Sequence, residues 1–107
     1  MTERFDELVH APNRLRICAL LAASTTAEFA MLRDILGVAD SVLSKHLKAL
    51  QDAGYVSISK PTGRGRVKTW VSFTPQGRRA YAGHVAALKA LLDTPPIPIG
   101  FPETAPE

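Results

Sequence analysis

One cysteine, Cys18, stands in the whole chain, so no disulfide can close within it, and a lone thiol fits a reducing compartment. No stretch approaches the roughly 18 consecutive apolar residues that a membrane span requires. The opening MTERFDELVH mixes charges where a signal peptide has an apolar centre, so the expected location is the cytoplasm. The three histidines, His10, His46 and His84, stand apart, and no Cys/His/Asp/Glu cluster has metal-ligand spacing. Nor is there a nucleophile–base pair, a phosphate-cradling glycine loop or a pair of catalytic carboxylates, which argues against an enzyme and against a cofactor. Acidic residues are almost missing between positions 41 and 79. Eight cations there (Lys45, Lys48, Lys60, Arg64, Arg66, Lys68, Arg78 and Arg79) face Asp52 alone, a net +7, while the rest of the chain carries −4. A basic middle on a mildly acidic frame is the footprint of a polyanion binder, although a solvated charged face would give the same count.

What is present is one domain's worth of chain. The 107 residues are 46% hydrophobic and 21% charged, values that exclude wholesale disorder and leave room for one modest core. The stretch DSVLSKHLKALQDAGYV, from Asp40 to Val56, organises the remainder. Leu43, Leu47 and Leu50 recur on one helical face, whereas Ser41, Ser44, Lys45 and Lys48 project away from it. Gly54 ends the helix and Tyr55, Val56 and Ile58 begin a strand. A helix with one buried face and one small, polar, cationic face suits a nucleic-acid groove.

Upstream, residues 2–9 are expected to form a short helix carrying Phe5, Leu8 and Val9. Pro12 opens a second one, NRLRICALLAAS, with Cys18 inside its apolar side as a small buried hydrophobe. Thr25 and Glu28 have the spacing of a capping box, which predicts a helix start there, with Phe29, Leu32, Ile35 and Leu36 as its buried face. Gly37 breaks it, and only Val38 and Ala39 separate it from the Leu43 helix, the spacing of a helix-turn-helix. Asp40 and Ser41 both qualify as the cap of that next helix.

Downstream, two period-2 runs at Tyr55–Lys60 and Val67–Phe73 flank PTGRGR, which predicts a strand pair with a cationic tip, a wing. Val67, Val71 and Phe73 share one strand face; Lys68, Trp70 and Ser72 share the other, where Trp70 is expected to cover Tyr55 across the strands. Thr74-Pro75 opens a last helix, threonine as cap and proline in its first turn. Along it Tyr81, Val85, Leu88 and Leu92 recur between alanines, a narrow seam for another helix. Tyr81 and Val85 suit the domain's own core or a partner; Leu88, Leu91 and Leu92 reach beyond so small a core and suit a partner chain. His46 lies beside the leucine stripe and is expected to pack or hydrogen-bond to a neighbouring helix. The tail TPPIPIGFPETAPE holds five of the eight prolines and is read as extended.

LRDILGVADSVLSKHLKALQDAGYV followed by GRGRVKTWVSFTPQGRRA resembles the winged helix-turn-helix regulators of the MarR and ArsR type, nearest to their small stand-alone subgroup, over about residues 10–92. The resemblance implies a mainly α fold with a small β-hairpin, a winged helix-turn-helix with terminal dimerisation helices over residues 1–93, and a separate tail over 94–107. It implies a homodimeric transcription factor that binds double-stranded DNA at an inverted repeat, with helix 40–53 in the major groove and wing 60–68 at the minor groove. Carried over by position, Asp40, Ser41, Ser44, Lys45 and Lys48 face the groove, and Arg64, Arg66 and Lys68 belong to the wing. Phe5, Leu8, Tyr81, Val85, Leu88, Leu91 and Leu92 fall at the subunit contact. The paired cysteines and carboxylate–histidine sets of metal-sensing ArsR members are missing, so their metal response does not transfer. Two other readings stand beside this one: a winged-helix module that docks protein without touching DNA, and a regulator that takes a small-molecule effector in a pocket near the dimer helices.

Overall fold

The computed structural model of the chain describes residues 4–60 and 68–97. Its elements are α1 (Glu7–His10), α2 (Pro12–Ser24), β1 (Thr26–Glu28), α3 (Phe29–Leu36), α4 (Asp40–Asp52), β2 (Val56–Ser59), β3 (Trp70–Phe73) and α5 (Pro75–Leu92). The N-terminal helix is a single turn. It begins only at Glu7 because Asp6 caps it, Oδ1 accepting from the Val9 N–H at 3.1 Å. Pro12 occupies the first turn of α2, and Ile17, Cys18 and Leu21 are its buried side.

The expected capping box at Thr25 and Glu28 does not form. Thr26–Glu28 instead pair antiparallel with β3, in the register Thr26↔Ser72, Ala27↔Val71 and Glu28↔Trp70. The physical reason is that the free edge of β3 offers backbone donors and acceptors that need partners. Phe73 N–H donates to the Thr25 carbonyl at 2.8 Å, and Phe29 N–H donates to the Thr69 carbonyl at 2.8 Å. The Thr25 hydroxyl accepts from Arg78 at 3.0 Å, with the Thr25 backbone at φ +71°. The sheet therefore has three strands, ordered β1-β3-β2, rather than the two of a bare hairpin.

Alternation along the strands is as expected: Val56, Val71 and Phe73 are buried, and Ser57, Ser59 and Trp70 face out. The second strand begins at Trp70, and Val67 lies outside the described residues. Trp70 stands opposite Ser59 and Glu28, not over Tyr55; the Tyr55 hydroxyl turns the other way and donates to Asp6 Oδ2 at 2.6 Å.

Helix α3 buries Leu32 and Leu36, with Phe29 half-buried. Ile35, expected inside, is 47% exposed, because it sits well round the short helix from the Leu32–Leu36 line. Gly37 follows at φ +69° and ψ 38°, its N–H on the Arg33 carbonyl at 2.9 Å. A Cβ there would meet nothing within 4 Å, so the left-handed conformation, not space, calls for glycine; Gly54, at φ +81°, closes α4 in the same conformation. Neither Asp40 nor Ser41 caps α4. Ala39 holds the cap position, its carbonyl accepting from Val42 and Leu43, because the Asp40 carboxylate is engaged by Arg33.

Leu43, Leu47 and Leu50 pack with Ile17, Leu21, Leu32, Val56 and Val71 in one core. Rolling α4 about its axis would expose those three leucines, at about 1.5–3 kcal/mol each, so its outward face is fixed.

Candidate nucleic-acid interface

With the leucine stripe buried, the opposite side of α4 is left to solvent. Asp40, Ser41, Ser44, Lys45 and Lys48 are all exposed. Lys45 makes no ion pair among the described residues, and its ammonium is available to an incoming anion. Lys48 Nζ reaches Asp52 one turn on at 3.3 Å, an exposed pair worth at most about 1 kcal/mol, which a phosphate can displace. Asp40 is less available than the sequence suggests. Arg33 Nη1 donates to its carboxylate at 3.1 Å and Arg33 Nε to Asp34 at 3.0 Å, so Arg33 staples α3 to the start of α4.

The far side of α4 is tied down as well. Arg14 Nη1 lies 3.2 Å from His46 Nδ1, and Arg14 Nε donates to the Leu8 carbonyl at 2.6 Å. Burial first, then the positive charges of Arg14 and Lys45, hold the His46 imidazole below its ordinary pKa, so the neutral ring accepts from Arg14. The histidine beside the stripe is thus a tether to a neighbouring helix, as its position suggests.

Between α4 and the sheet lies an open groove of about 550 Å³. Phe29, Leu47 and Ile58 line it alongside the polar side chains of Ser44, Lys48, Gln51, Lys60 and Thr69. All five of those polar groups can donate a hydrogen bond, and among the described residues no carboxylate lines the groove. Gln51, Lys60 and Thr69 line this groove although the sequence does not single them out. Lys60 is visible in the charge count, but only the folding of β2 back against α4 brings it to Lys48. Of the wing residues, Lys68 is exposed, and Arg64 and Arg66 lie outside the described residues.

The residues assigned to a subunit contact differ in exposure and surroundings. Leu8 and Tyr81 are half-buried against the domain's own core, Tyr81 with its ring centroid 6.3 Å from that of Phe73. Val85 and Leu88 are half-buried, while Leu91 and Leu92 stand 61% and 75% exposed at the end of α5. Phe5 lies against two imidazoles, its ring centroid 4.8 Å from His10 and 4.5 Å from His84. Beside it a second groove of about 720 Å³ runs between residues 4–8 and the first half of α5, with Arg4, Arg79, Asp6 and Glu7 among its lining. Among the described residues no three His, Cys, Asp or Glu side chains come together as a metal site, and no helix is long and apolar enough to cross a membrane.

A helix-turn-helix whose second helix presents serine and lysine outward, followed by a sheet and a basic connector, is the architecture of winged-helix DNA-binding regulators, not of an enzyme. Comparison with known proteins gives the family. The winged helix DNA-binding domain model matches residues 13–92, and the chain belongs to that family. The chain is 38% identical over 72 residues to the uncharacterized protein MJ0432 of Methanocaldococcus jannaschii, covering 67% of this chain and 78% of that one. Among solved structures it is similar to a transcriptional regulator homologue from Pyrococcus horikoshii OT3, at TM-score 0.78 and 26% identity, covering 82% of this chain and 87% of the other. It is also similar to a possible transcriptional regulator for arsenical resistance, at TM-score 0.59 and 27% identity, over 82% and 83% of the two chains.

Proposed function

We propose that two copies of this chain bind an inverted repeat in double-stranded DNA as a sequence-specific transcriptional regulator. Helix α4 enters the major groove and wing 60–68 the adjacent minor groove. The observation that carries the reading is the outward, cationic face of α4, locked in place by three buried leucines and by the Arg14–His46 tether. Ser41, Ser44 and Lys45 are the side chains that reach base edges, and Lys48 a phosphate. A helix in one groove and a wing in the next must straddle the sugar–phosphate strand between them. The groove beside α4 is where that strand runs, with Lys48, Gln51, Lys60 and Thr69 as donors to its oxygens. Arg64 and Arg66 are the wing's guanidinium groups for the minor groove.

Leu91 and Leu92, too exposed to serve the domain's own core, support pairing of α5 with a second copy, with Leu88, Val85, Tyr81, Leu8 and Phe5 extending the seam. Residues 1–93 then form the DNA-binding and dimerising unit and 94–107 the tail, in the cytoplasm.

Selection of bound duplexes from a random pool, with the protein's mass in solution measured alongside, tests the reading. The expected product is an inverted repeat with half-sites about one helical turn apart. Lys45→Ala should weaken binding to the selected site. Arg64→Ala should lower affinity and flatten the dependence of log affinity on log salt, since one cation is lost from the interface. Unchanged binding in both variants overturns the surface assignment, and a footprint on a single unrepeated site overturns the inverted repeat.

A further inference from the structure

His10 and His84 are 74 residues apart in sequence, yet His10 Nδ1 and His84 Nε2 lie 3.0 Å apart. The surrounding bonds fix which nitrogen carries each proton. The Asp6 backbone N–H can only donate, and it points at His84 Nδ1 at 2.9 Å, so that nitrogen is an acceptor. His84 therefore holds its proton on Nε2 and donates it to His10 Nδ1. His10 in turn is the neutral Nε2–H tautomer. The Asp6 carboxylate continues the chain, accepting from the Tyr55 hydroxyl at 2.6 Å and from the Val9 amide at 3.1 Å. Tyr55 follows directly on the glycine that closes α4, and its N–H is bonded to the Leu50 carbonyl of that helix. Hydrogen bonds joined through the covalent frames of Asp6 and Tyr55 thus link two imidazoles to the end of the helix proposed to read DNA.

We propose that this His10–His84–Asp6–Tyr55 line is an acid-sensitive latch, and that taking up one proton on it loosens residues 4–10 from α5 and lowers DNA affinity. The inference rests on the DNA-binding reading above for its functional half and on the imidazole geometry alone for its structural half.

Neither ring can take a second proton in place. A proton on His84 Nδ1 would face the Asp6 N–H, and one on His10 Nδ1 would face the His84 Nε2–H, donor against donor. His84 is fully buried, with Phe5 edge-on to its ring at 4.5 Å, so a cation there also loses its hydration. His10 is exposed, which gives the proton a way in. Beside the pair stand Asp6, whose amide is bonded to His84, and Glu7, with Tyr55 beyond Asp6. Asp6 and Glu7 favour a charge on His84. Burial and His10 oppose it and prevail, holding that imidazole below its ordinary pKa. Cys18 and Tyr55 are both pushed up to about 12 and stay neutral throughout. Because His84 is lowered in the fold, its contribution is intact above the unfolded value near 6.5 and is lost as pH falls below it.

The direction of the effect is the test. Added positive charge alone strengthens DNA binding as pH falls, whereas an opening latch weakens it. Affinity for the selected duplex, compared at pH 7.5 and 5.5, should drop by about fivefold or more, the low end of ordinary site-to-site coupling. His10→Asn keeps an acceptor where Nδ1 stood but cannot titrate. His84→Gln keeps an amide donor toward His10 where Nε2 stood and likewise cannot titrate, and His10→Asn carries the test alone if that second variant does not fold. The fall in affinity should be blunted in His10→Asn. A readout independent of DNA keeps the two halves apart: the Asp6 amide should lose hydrogen-exchange protection at pH 5.5 while the α2 amides keep theirs, and nitrogen shifts at pH 7.5 should show His84 with its proton on Nε2. A proton on Nδ1, or a protected Asp6 amide at pH 5.5, overturns the latch. An opened latch with unchanged or rising affinity overturns its coupling to DNA. If no duplex binds at any pH, the DNA-binding reading fails and the amide result alone decides the latch.

Discussion

Gly77 is the position where a single methyl group should do the most damage for its size. It is buried in the first turn of α5, and a Cβ built there would lie 2.1 Å from the Tyr55 carbonyl oxygen, 2.8 Å from its carbon and 2.9 Å from Phe73 Cε1. Ordinary contact begins at 3.4 Å, so the Tyr55 carbonyl would have to retreat by more than an ångström. That carbonyl accepts from the Thr74 N–H at 3.1 Å, and the Thr74 hydroxyl donates to the Gly54 carbonyl at 2.6 Å while accepting from the Gly77 N–H at 2.9 Å. Overpacking costs about 1–3 kcal/mol and one broken backbone hydrogen bond about 1 kcal/mol more. Alanine's better helix propensity returns at most about 1 kcal/mol. Gly77→Ala should therefore destabilise by about 1–3 kcal/mol net, which for a domain of this size is a drop in Tm of roughly 4–8 °C per kcal/mol. Urea unfolding followed by circular dichroism should show a lower midpoint with an unchanged m-value. Ala82→Gly, the reverse change at an exposed position of α5, supplies the contrast, since only helix propensity acts there and it should cost about 1 kcal/mol. A Gly77→Ala variant as stable as the parent would refute the close packing of α5 on Tyr55 and Phe73.

Other outcomes follow from the same structure. Cys18 is fully buried, and burial first, then Asp6, push its thiol up to about 12, so a thiol reagent at pH 8 should label it only at the rate of unfolding. Tyr55 is raised to about 12, chiefly by its hydrogen bond to Asp6. The fold holds that phenol protonated above its usual value near 10, so the contribution is complete below pH 10 and is lost as pH climbs through 12; Tyr55→Phe should remove this alkaline dependence from the unfolding midpoint. Lys60→Ala should weaken binding to all duplex sequences about equally and reduce the salt slope by about 0.9, because a phosphate contact carries no base information.

Much of this is open to reading in the chain itself. The Leu43–Leu47–Leu50 stripe, the glycines at 37 and 54 and the Thr74-Pro75 start are local signals, and the fold uses each of them locally. The first strand is not readable: three residues have no period, and Thr25 and Glu28 carry a capping signature that pairing with β3 overrides. Arg78 enters the sequence reading as one of eight basic residues. In the fold its guanidinium donates to the Ala22 carbonyl and the Thr25 hydroxyl and lies 5.6 Å from the Phe73 ring centroid, so it braces the end of α2. The groove at Lys60 and the imidazole pair at His10 and His84 join residues far apart in sequence, which no spacing rule can bring together.

The place of β3 between two neighbours has a mechanical consequence. A bare two-stranded hairpin can pivot about its root, but here β3 is paired along both of its edges, with β1 and with β2, and Thr69 is pinned to the first residue of α3. Any pull that a bound duplex exerts on Lys68 is delivered to α3, and through the Arg33–Asp40 staple to the helix beyond. In the proposed complex, gripping the backbone and aiming α4 are then one motion, and stiffness in the sheet sets how closely they keep step.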